Sequence, residues 1–321
     1  MIIQASAPHC LFNLGTWTDT GFADHGTVLT CAVQHYANVS LLHGKQAGIH
    51  LHACNTDSSI HRFFRNIAHH FFLDRLEAWV TDDNADDLSP ALAVALVSAC
   101  AFLAERSMTP GYLAIVAHEL HRECGGPAGI HPHLAAAFGN FLRCAISPYP
   151  RPFVSIHNIP VERRAELAQR IISVKLTSHI PARFDRLAAD RWRLPNAAPL
   201  RTLAQQAVQI IDNGAFADLH DTVIQHESLL RKLVPELITP EVQQIDEIAD
   251  KHSAIFATNL YECCGILFCQ PEKLPGLEED LQQAGICFTH IRIDTMGVRV
   301  WSYDPSRKKA PIPVIHSEQA A

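Results

Sequence analysis

The sequence lacks the features that mark membrane and secreted proteins. No apolar run reaches the roughly 18 residues that a membrane-spanning helix needs. The N-terminus has no basic segment followed by an apolar one, so we expect a cytoplasmic protein. Basic side chains are also scarce, because 26 Lys and Arg against 33 Asp and Glu leave a net charge of −7. This charge disfavours nucleic acid and anionic membrane surfaces as partners.

Cysteine is too sparse for a disulfide scaffold, with ten in 321 residues, and we expect reduced, mostly buried thiols. A cysteine nucleophile at Cys10, Cys263 or Cys264 would need a nearby histidine, and nothing in the sequence fixes that geometry. The twenty histidines are unusually many. They are compatible with metal binding, with pH sensing or with local composition alone.

The pattern of apolar residues predicts an α+β chain of two domains. Residues 92–105 are apolar nearly all round, which is typical of a buried helix. Thr109 and Pro110 are favoured residues for the start of the next helix. Three prolines within residues 147–152 predict a boundary between domains 1–150 and 151–321.

Further helices and strands follow from the same periodicities. The predicted helices cover residues 134–142, 199–213, 215–234, 240–251 and 276–284. The predicted strands cover residues 48–54, 170–176, 254–258, 264–269 and 286–293. Residues 26–33 and 37–42 are predicted to form two strands or a strand and a helix.

Three segments in this order resemble the GHMP kinase superfamily, and in particular its sugar- and heptose-phosphate-kinase branch. Residues 7–20 (APHCLFNLGTWTDT) are similar to the family's first motif. Residues 129–139 (GIHPHLAAAFG) resemble a segment of the heptose-kinase-like members, and residues 237–269 resemble the last helix, turn and strand. The resemblance implies a two-domain fold with a cleft between the domains that holds ATP.

The resemblance also implies a glycine- and serine-rich loop before the buried helix, where backbone N–H groups approach the phosphates of ATP. The matching residues 84–91 contain no glycine and carry Asp86, Asp87 and Ser89, with two more aspartates just upstream. These carboxylates would repel phosphate, although they could instead cap the helix. The family's last glycine-rich turn keeps only Gly265. We therefore expect a degenerate nucleotide site at these four residues.

Three more positions that have a chemical role in the family are replaced. The catalytic aspartate falls on Pro132, or on a histidine beside it, and the magnesium-binding glutamate falls on His121. An early basic residue falls on Cys10. Proline cannot accept a proton, and magnesium prefers oxygen ligands to neutral imidazole. The catalytic residues are therefore unknown from the sequence, and the question of enzymatic activity stays open.

One binding segment of the family is retained. Trp17, Thr18 and Asp19 match the segment that contacts the acceptor substrate in the sugar kinases. The resemblance implies a pocket for a small polar, sugar-like molecule at these residues. Asp19 could equally be a turn or cap residue after Gly15.

Histidines cluster at two places that could hold zinc. His118 and His121 share a helix face, and His131 and His133 follow closely, so His121, His131 and His133 are candidate ligands. The spacing matches no standard zinc signature, and hydrogen-bonded histidines are the alternative. A second candidate is the strand segment 50–54, where two histidines and a cysteine alternate.

The sequence therefore favours a GHMP-kinase-like protein that has lost the usual phosphotransfer machinery and binds a small polar molecule. It would act as a pseudokinase or as a repurposed enzyme, with no cofactor expected. One alternative is an active, divergent small-molecule kinase that uses ATP and magnesium. Another is a metal-dependent enzyme that uses the histidines and zinc. A homodimer or a regulatory protein partner is compatible with each hypothesis.

Overall fold

The computed structural model describes residues 1–16, 18–19, 26–44, 48–52, 58–82, 88–126, 129–146, 152–157, 160–177, 197–259 and 264–303. Helices and strands are mixed along the chain, and the predicted α+β class is confirmed. The strands are β1 (Ile2–Leu14), β2 (Gly26–His43), β3 (Gly48–His52), β4 (Arg75–Thr81), β5 (Phe141–Ile146), β6 (Pro152–His157), β7 (Ile171–Lys175), β8 (Ile255–Asn259), β9 (Cys264–Phe268), β10 (Phe288–His290) and β11 (Arg299–Tyr303). The helices are α1 (Ser58–His70), α2 (Pro90–Leu103), α3 (Pro110–Glu123), α4 (His131–Phe138), α5 (Val161–Ala168), α6 (Ala197–Asn213), α7 (Phe216–Leu233), α8 (Pro240–Lys251) and α9 (Leu274–Gln283).

The chain forms two compact units, each built from separate stretches. Unit 1 contains Met1–His9, His35–Gly139 and Asp294–Ala321, and unit 2 contains Cys10–Gln34 and Asn140–Ile293. The units are discontinuous because β1 and β2 each contribute residues to both. The predicted domains, 1–150 and 151–321, are each continuous and so differ from this division. Most of the predicted boundary at 147–152 lies outside the described residues.

Helix α2 forms the centre of unit 1. It is buried from Pro90 to Ala101, because α1, α3 and α4 all pack against it. A helix that is covered on every side needs no polar face, which explains its uniformly apolar sequence. In the same unit β1 pairs with β11 and β2 pairs with β4, both antiparallel, and β3 lies parallel to β4.

Unit 2 contains an antiparallel four-stranded sheet in the order β10-β7-β9-β8. The first part of β2 pairs with β5, which also pairs with β6. Helix α7 contributes Leu219 and Val223 to one apolar cluster and Leu230 to a second. These residues lie on one face of α7, so the helix is fixed along its length in the core of the unit.

The structure confirms the predicted helices with strong local signals and corrects one. The predicted buried helix is α2, and Thr109 caps α3 by accepting a hydrogen bond from the Tyr112 N–H. The helix predicted over 134–142 is wrong in its second half, because α4 ends at Phe138 and β5 begins three residues later. Gly139 has a φ of +68°, and a Cβ there would lie 2.3 Å from the Gly297 nitrogen.

Two expectations from the composition, on cysteines and on membrane-spanning helices, can also be compared with the structure. The eight cysteines in the described residues are free thiols, and all except Cys287 are buried, as predicted. Within the described part of the chain, no helix is both long enough and apolar enough to cross a membrane.

Candidate functional site

A tight turn after β1 in unit 2 carries two of the predicted ligand-binding residues, Thr18 and Asp19. Gly15 opens the turn with a φ of +83° and accepts a hydrogen bond from the Thr18 N–H over 3.0 Å. The Thr18 hydroxyl accepts from the Thr27 N–H over 3.0 Å. The same hydroxyl lies 2.7 Å from the Gly15 carbonyl and 2.9 Å from the Thr27 carbonyl, to one of which it donates. The turn is thus fixed by backbone groups, whereas Trp17 lies outside the described residues.

Asp19 is fully buried at the end of this turn, with 0 % exposure. The pKa of the nearby Cys144 thiol is raised well above its usual value, first by burial and then by the charges of Asp19 and Cys10. The Asn13 side-chain oxygen accepts hydrogen bonds from the Thr30 hydroxyl at 2.7 Å and from the Cys10 thiol at 3.0 Å. A buried, hydrogen-bonded Cys10 is compatible with the inert thiol and gives the nucleophile hypothesis no support.

The histidine that contacts this turn was missed by the sequence analysis. His226 on α7 is 2 % exposed, and its Nε2 accepts a hydrogen bond from the Gly15 N–H over 2.9 Å. Burial lowers the pKa of His226 to about 3, so the ring is neutral and carries its proton on Nδ1. Its helical spacing from Leu219, Val223 and Leu230 marks it as a core position. That pattern does not reveal which backbone group it binds.

A buried carboxylate lies at the N-terminus of α2 in unit 1. The Ser89 hydroxyl accepts from the Leu92 N–H over 3.0 Å and donates to Asp82 Oδ2 over 2.7 Å. The second oxygen, Asp82 Oδ1, lies 3.0 Å from His9 Nε2, and both of those side chains are 3 % exposed. A helix N-terminus attracts anions because its first N–H groups are unpaired and the helix dipole is positive there. Here Ser89 accepts from the first turn of α2 and links it to the Asp82 carboxyl group.

Four histidines are packed together in unit 1, and none is more than 3 % exposed. His121 Nδ1 and His133 Nε2 share a hydrogen bond of 3.1 Å, and the ring centroid of His118 lies 5.0 Å from that of His133. Burial lowers the pKa of His121 to about 3, opposed by a hydrogen bond with the Leu88 backbone. Burial and the neighbouring histidines, including His131, also lower the pKa of His133 well below its usual value. The hydrogen-bonded pair therefore consists of neutral rings, one donating and one accepting.

The arrangement of histidines gives the zinc hypotheses no geometric support. Among the described residues, no group of three or more His, Cys, Asp or Glu side chains could hold a metal ion. Among the predicted ligands His121, His131 and His133, the first and the last form a hydrogen bond with each other. The two ring nitrogens in this bond therefore do not point toward a common metal position. In the second candidate segment, His52 Nε2 binds the Glu77 carboxylate at 3.1 Å on the surface.

Of the remaining residues predicted for the nucleotide site, only Gly265 belongs to the described part of the chain. Asp86 and Asp87 lie outside the described residues. Gly265 lies within β9 rather than in a turn, and a Cβ there would lie 2.3 Å from the Phe256 ring. The glycine is therefore required for packing within the sheet.

No protein-family model matches the sequence, and no curated protein matches it. Solved structures do match. A D-glycero-D-manno-heptose 1-phosphate kinase from Bacteroides thetaiotaomicron has a TM-score of 0.75 at 12 % identity, over 94 % of this chain and 99 % of that chain. The phosphomevalonate kinase of Streptococcus pneumoniae has a TM-score of 0.68 at 11 % identity, over 91 % and 99 %. The chain has the fold of the GHMP small-molecule kinases.

This likeness establishes the GHMP fold but not a reaction. The mevalonate diphosphate decarboxylase of Staphylococcus aureus has a TM-score of 0.71 at 11 % identity, over 94 % of this chain and 98 % of that chain. Kinases and a decarboxylase therefore share the fold, and the reaction must be argued from the residues of the site.

Two positions that the resemblance assigns to magnesium–ATP carry residues of different chemistry. At the position that it assigns to the magnesium-binding glutamate, His121 is neutral and hydrogen-bonded to His133. At the position that it assigns to the catalytic aspartate, Pro132 lies buried in the first turn of α4 and has no acceptor in its side chain.

Proposed function

We propose that this chain binds a small hydroxylated molecule through the Gly15–Asp19 turn and does not transfer phosphate from magnesium–ATP in the usual way. The observation that carries the proposal is the Asp82 carboxylate at the N-terminus of α2, held by Ser89 and His9. A helix N-terminus that already has an anion attracts an incoming phosphate less strongly.

Coulomb's law gives the size of this effect. Two like unit charges 4 Å apart repel by about 1 kcal/mol in water and by about 4 kcal/mol at the effective dielectric constant of a protein surface. The Asp82 side chain is 3 % exposed, which favours the larger value. Such repulsion would weaken the binding of a phosphate by roughly fivefold to several hundredfold.

The turn in unit 2 favours a ligand rich in hydroxyl groups. Carboxylate oxygens accept hydrogen bonds, so they suit hydroxyl donors, and Asp19 places a carboxyl group in a turn fixed by backbone contacts. One protein of the same fold is a kinase of D-glycero-D-manno-heptose 1-phosphate, a sugar phosphate. This compound is therefore the first probe that we would test.

Calorimetric titration of the pure protein tests the proposal. We expect no binding of magnesium–ATP at millimolar concentration and measurable binding of the heptose phosphate, weakened at least tenfold in Asp19→Asn. Asp74→Asn is the matched control, because Asp74 is 78 % exposed on the surface of unit 1. Tight binding of magnesium–ATP would contradict the loss of nucleotide binding, and equal probe affinity in Asp19→Asn would contradict the ligand site.

The second candidate is an active, divergent small-molecule kinase. Two observations favour it: the likeness to kinases extends over nearly the full chain, and Ser89 remains at the N-terminus of the apolar helix α2. A phosphotransfer assay separates the candidates, because only the second predicts ATP-dependent phosphorylation of the heptose phosphate that Asp19→Asn reduces and Asp74→Asn does not.

A further inference from the structure

One buried histidine joins two segments of unit 2 that are far apart in sequence. His226 Nε2 accepts a hydrogen bond of 2.9 Å from the Gly15 N–H, across 211 positions of the chain. A buried N–H group without a partner is unfavourable, so the turn needs an acceptor for the Gly15 N–H, and His226 provides it. Gly15 begins the turn that ends at Asp19, the proposed ligand-binding carboxylate.

The backbone at Gly15 has little freedom to find another partner. Its φ of +83° directs the chain into the turn, and a Cβ at this residue would lie 2.2 Å from the Thr27 carbonyl oxygen and 2.9 Å from the Ala204 Cβ. The Gly15 backbone is therefore closely packed against both neighbours. The hydrogen bond from Gly15 holds the turn in the narrow space that remains.

The helix that carries His226 is itself firmly held. Arg231, on the same helix, binds Asp246 of α8 through two hydrogen bonds of 2.6 and 3.0 Å and binds the adjacent Glu227 over 3.0 Å. The Thr258 hydroxyl of β8 also donates to the Glu227 carboxylate over 3.1 Å. Two-point binding between guanidinium and carboxylate fixes orientation as well as distance. The imidazole is thus presented to Gly15 from a rigid support.

We propose that His226 is a positioning residue, whose neutral imidazole holds the Gly15–Asp19 turn so that the Asp19 carboxylate is oriented for hydroxyl groups of the ligand. This inference rests on the proposed function. The bond requires the ring to be neutral, with its acceptor at Nε2 and its proton at Nδ1. Burial, which lowers the pKa of His226 to about 3, keeps the ring in that state at physiological pH.

The test compares two substitutions of His226 whose new side chains differ in length. In His226→Gln the side-chain oxygen lies at about the distance of Nε2 and can still accept from Gly15, whereas the shorter side chain of His226→Asn cannot. His220→Asn is the matched control, because His220 lies on the same helix and its Nε2 lies 3.2 Å from the Ser253 carbonyl, away from the turn.

Two measurements on the full chain keep the inference separate from the proposed function. Amide hydrogen exchange at Gly15 should accelerate at least tenfold in His226→Asn and stay near the wild-type rate in His226→Gln and His220→Asn. The affinity for D-glycero-D-manno-heptose 1-phosphate should fall at least tenfold in His226→Asn and less than threefold in the other two.

Unchanged exchange at Gly15 in His226→Asn would overturn the positioning role, as would faster exchange with unchanged probe affinity. Circular dichroism verifies that each variant is folded. If wild-type protein does not bind the probe at all, the proposed function fails for this ligand. The role of His226 is then decided by the exchange rates of residues 15, 18 and 19 alone, and it is overturned if only Gly15 responds.

Discussion

The Gly15–Asp19 turn of unit 2 and the N-terminus of α2 in unit 1 each contain a buried aspartate, but the two segments are held differently. At α2, Asp82 is bound through both oxygens by side chains, those of His9 and Ser89. At the turn, the contacts that fix the segment come mainly from backbone groups and from the Thr18 hydroxyl. His226 adds a hydrogen bond to the backbone at the start of the turn.

On the proposed function, this difference explains how one binding segment of the fold is kept while another changes. The turn is held by a small set of hydrogen bonds, in which the Thr18 hydroxyl and the His226 ring bind backbone groups. A phosphate cradle depends on helix-terminal N–H groups that face the ligand, and one added carboxylate changes its chemistry. The proposal therefore assigns ligand recognition to unit 2 and the loss of nucleotide recognition to unit 1.

The largest expected effect is acid destabilisation, to which both units contribute. Burial lowers the pKa of His121 in unit 1 and of His226 in unit 2 from 6.5 to about 3. Below pH 6.5 the unfolded chain binds protons that the folded chain does not, so the free energy of unfolding falls as the pH falls. At pH 5 each histidine should lower it by about 2 kcal/mol relative to neutral pH. Urea unfolding at pH 7.5 and pH 5.0 measures the total.

Substitutions measure how much of this acid destabilisation comes from unit 2 and how much from unit 1. His226→Gln removes the titrating ring from unit 2 and should abolish its share of the loss, about 2 kcal/mol at pH 5. His61→Gln on the surface of α1 is the control substitution, because that side chain is exposed. Equal stability at the two pH values would show that neither histidine is buried in the neutral form.

The second prediction compares the loss of stability on substitution of a crowded glycine, Gly15, with that of an open one, Gly125. Gly15→Ala and Gly125→Ala both place a Cβ at positive φ, +83° and +93°, which costs about 1–2 kcal/mol. At Gly15 the new Cβ would also lie 2.2 Å from the Thr27 carbonyl oxygen, whereas at Gly125 nothing lies within 4 Å. Overpacking adds about 1–3 kcal/mol, so we expect losses of about 3 and about 1 kcal/mol in urea unfolding.

The same two glycine variants also test ligand binding. Gly15→Ala should abolish binding of the heptose phosphate, and Gly125→Ala should preserve it, because only the first residue belongs to the turn. Similar losses of stability in the two variants would show that the space around Gly15 can relax, and the rigid turn would then no longer support the proposed site.

The parts of the fold that the sequence predicted are those specified by local patterns. An apolar run without a polar face predicts α2, and Thr109 followed by proline predicts the start of α3. The end of α4 was mispredicted because the apolar run through Leu142 was weighted above Gly139, whose φ of +68° ends the helix. That this position must be glycine, since a Cβ would lie 2.3 Å from the Gly297 nitrogen, depends on a contact that local periodicity does not reveal.

The candidate site shows the same contrast between positions within motifs, which could be predicted, and contacts between distant residues, which could not. The resemblance assigned Asp19, His121 and Pro132 to the site by their places within motifs, Asp19 as a retained residue and the other two as replacements. It did not identify the partners that define the site, because His226 binds Gly15 across 211 positions and His9 binds Asp82 across 73. Contacts between distant residues form only in the folded chain, so hydrogen-bond partners were the information that the sequence lacked.

The smallest expected effect is the most direct test of the difference between the two regions. Asp82→Asn keeps the shape of the side chain and one acceptor oxygen but removes the negative charge at the N-terminus of α2. If that charge repels phosphate, affinity for inorganic pyrophosphate should rise at least fivefold, about 1 kcal/mol, and binding of magnesium–ATP should become easier to detect. Asp74→Asn changes net charge equally at an exposed site and should have no effect. Calorimetry at fixed ionic strength is the appropriate measurement, because salt screens surface charge.

The outcome of Asp82→Asn also separates the two candidate functions. In an active kinase that used Asp82 to hold magnesium, removal of the charge would lower phosphotransfer and weaken nucleotide binding, since magnesium prefers carboxylate oxygen. A gain in affinity therefore favours the lost nucleotide site, and a loss favours the divergent kinase. Affinity that does not change in either direction would show that Asp82 does not face the phosphates. The argument against nucleotide binding would then rest on His121 and Pro132, and the comparison between the two units would lose its electrostatic basis.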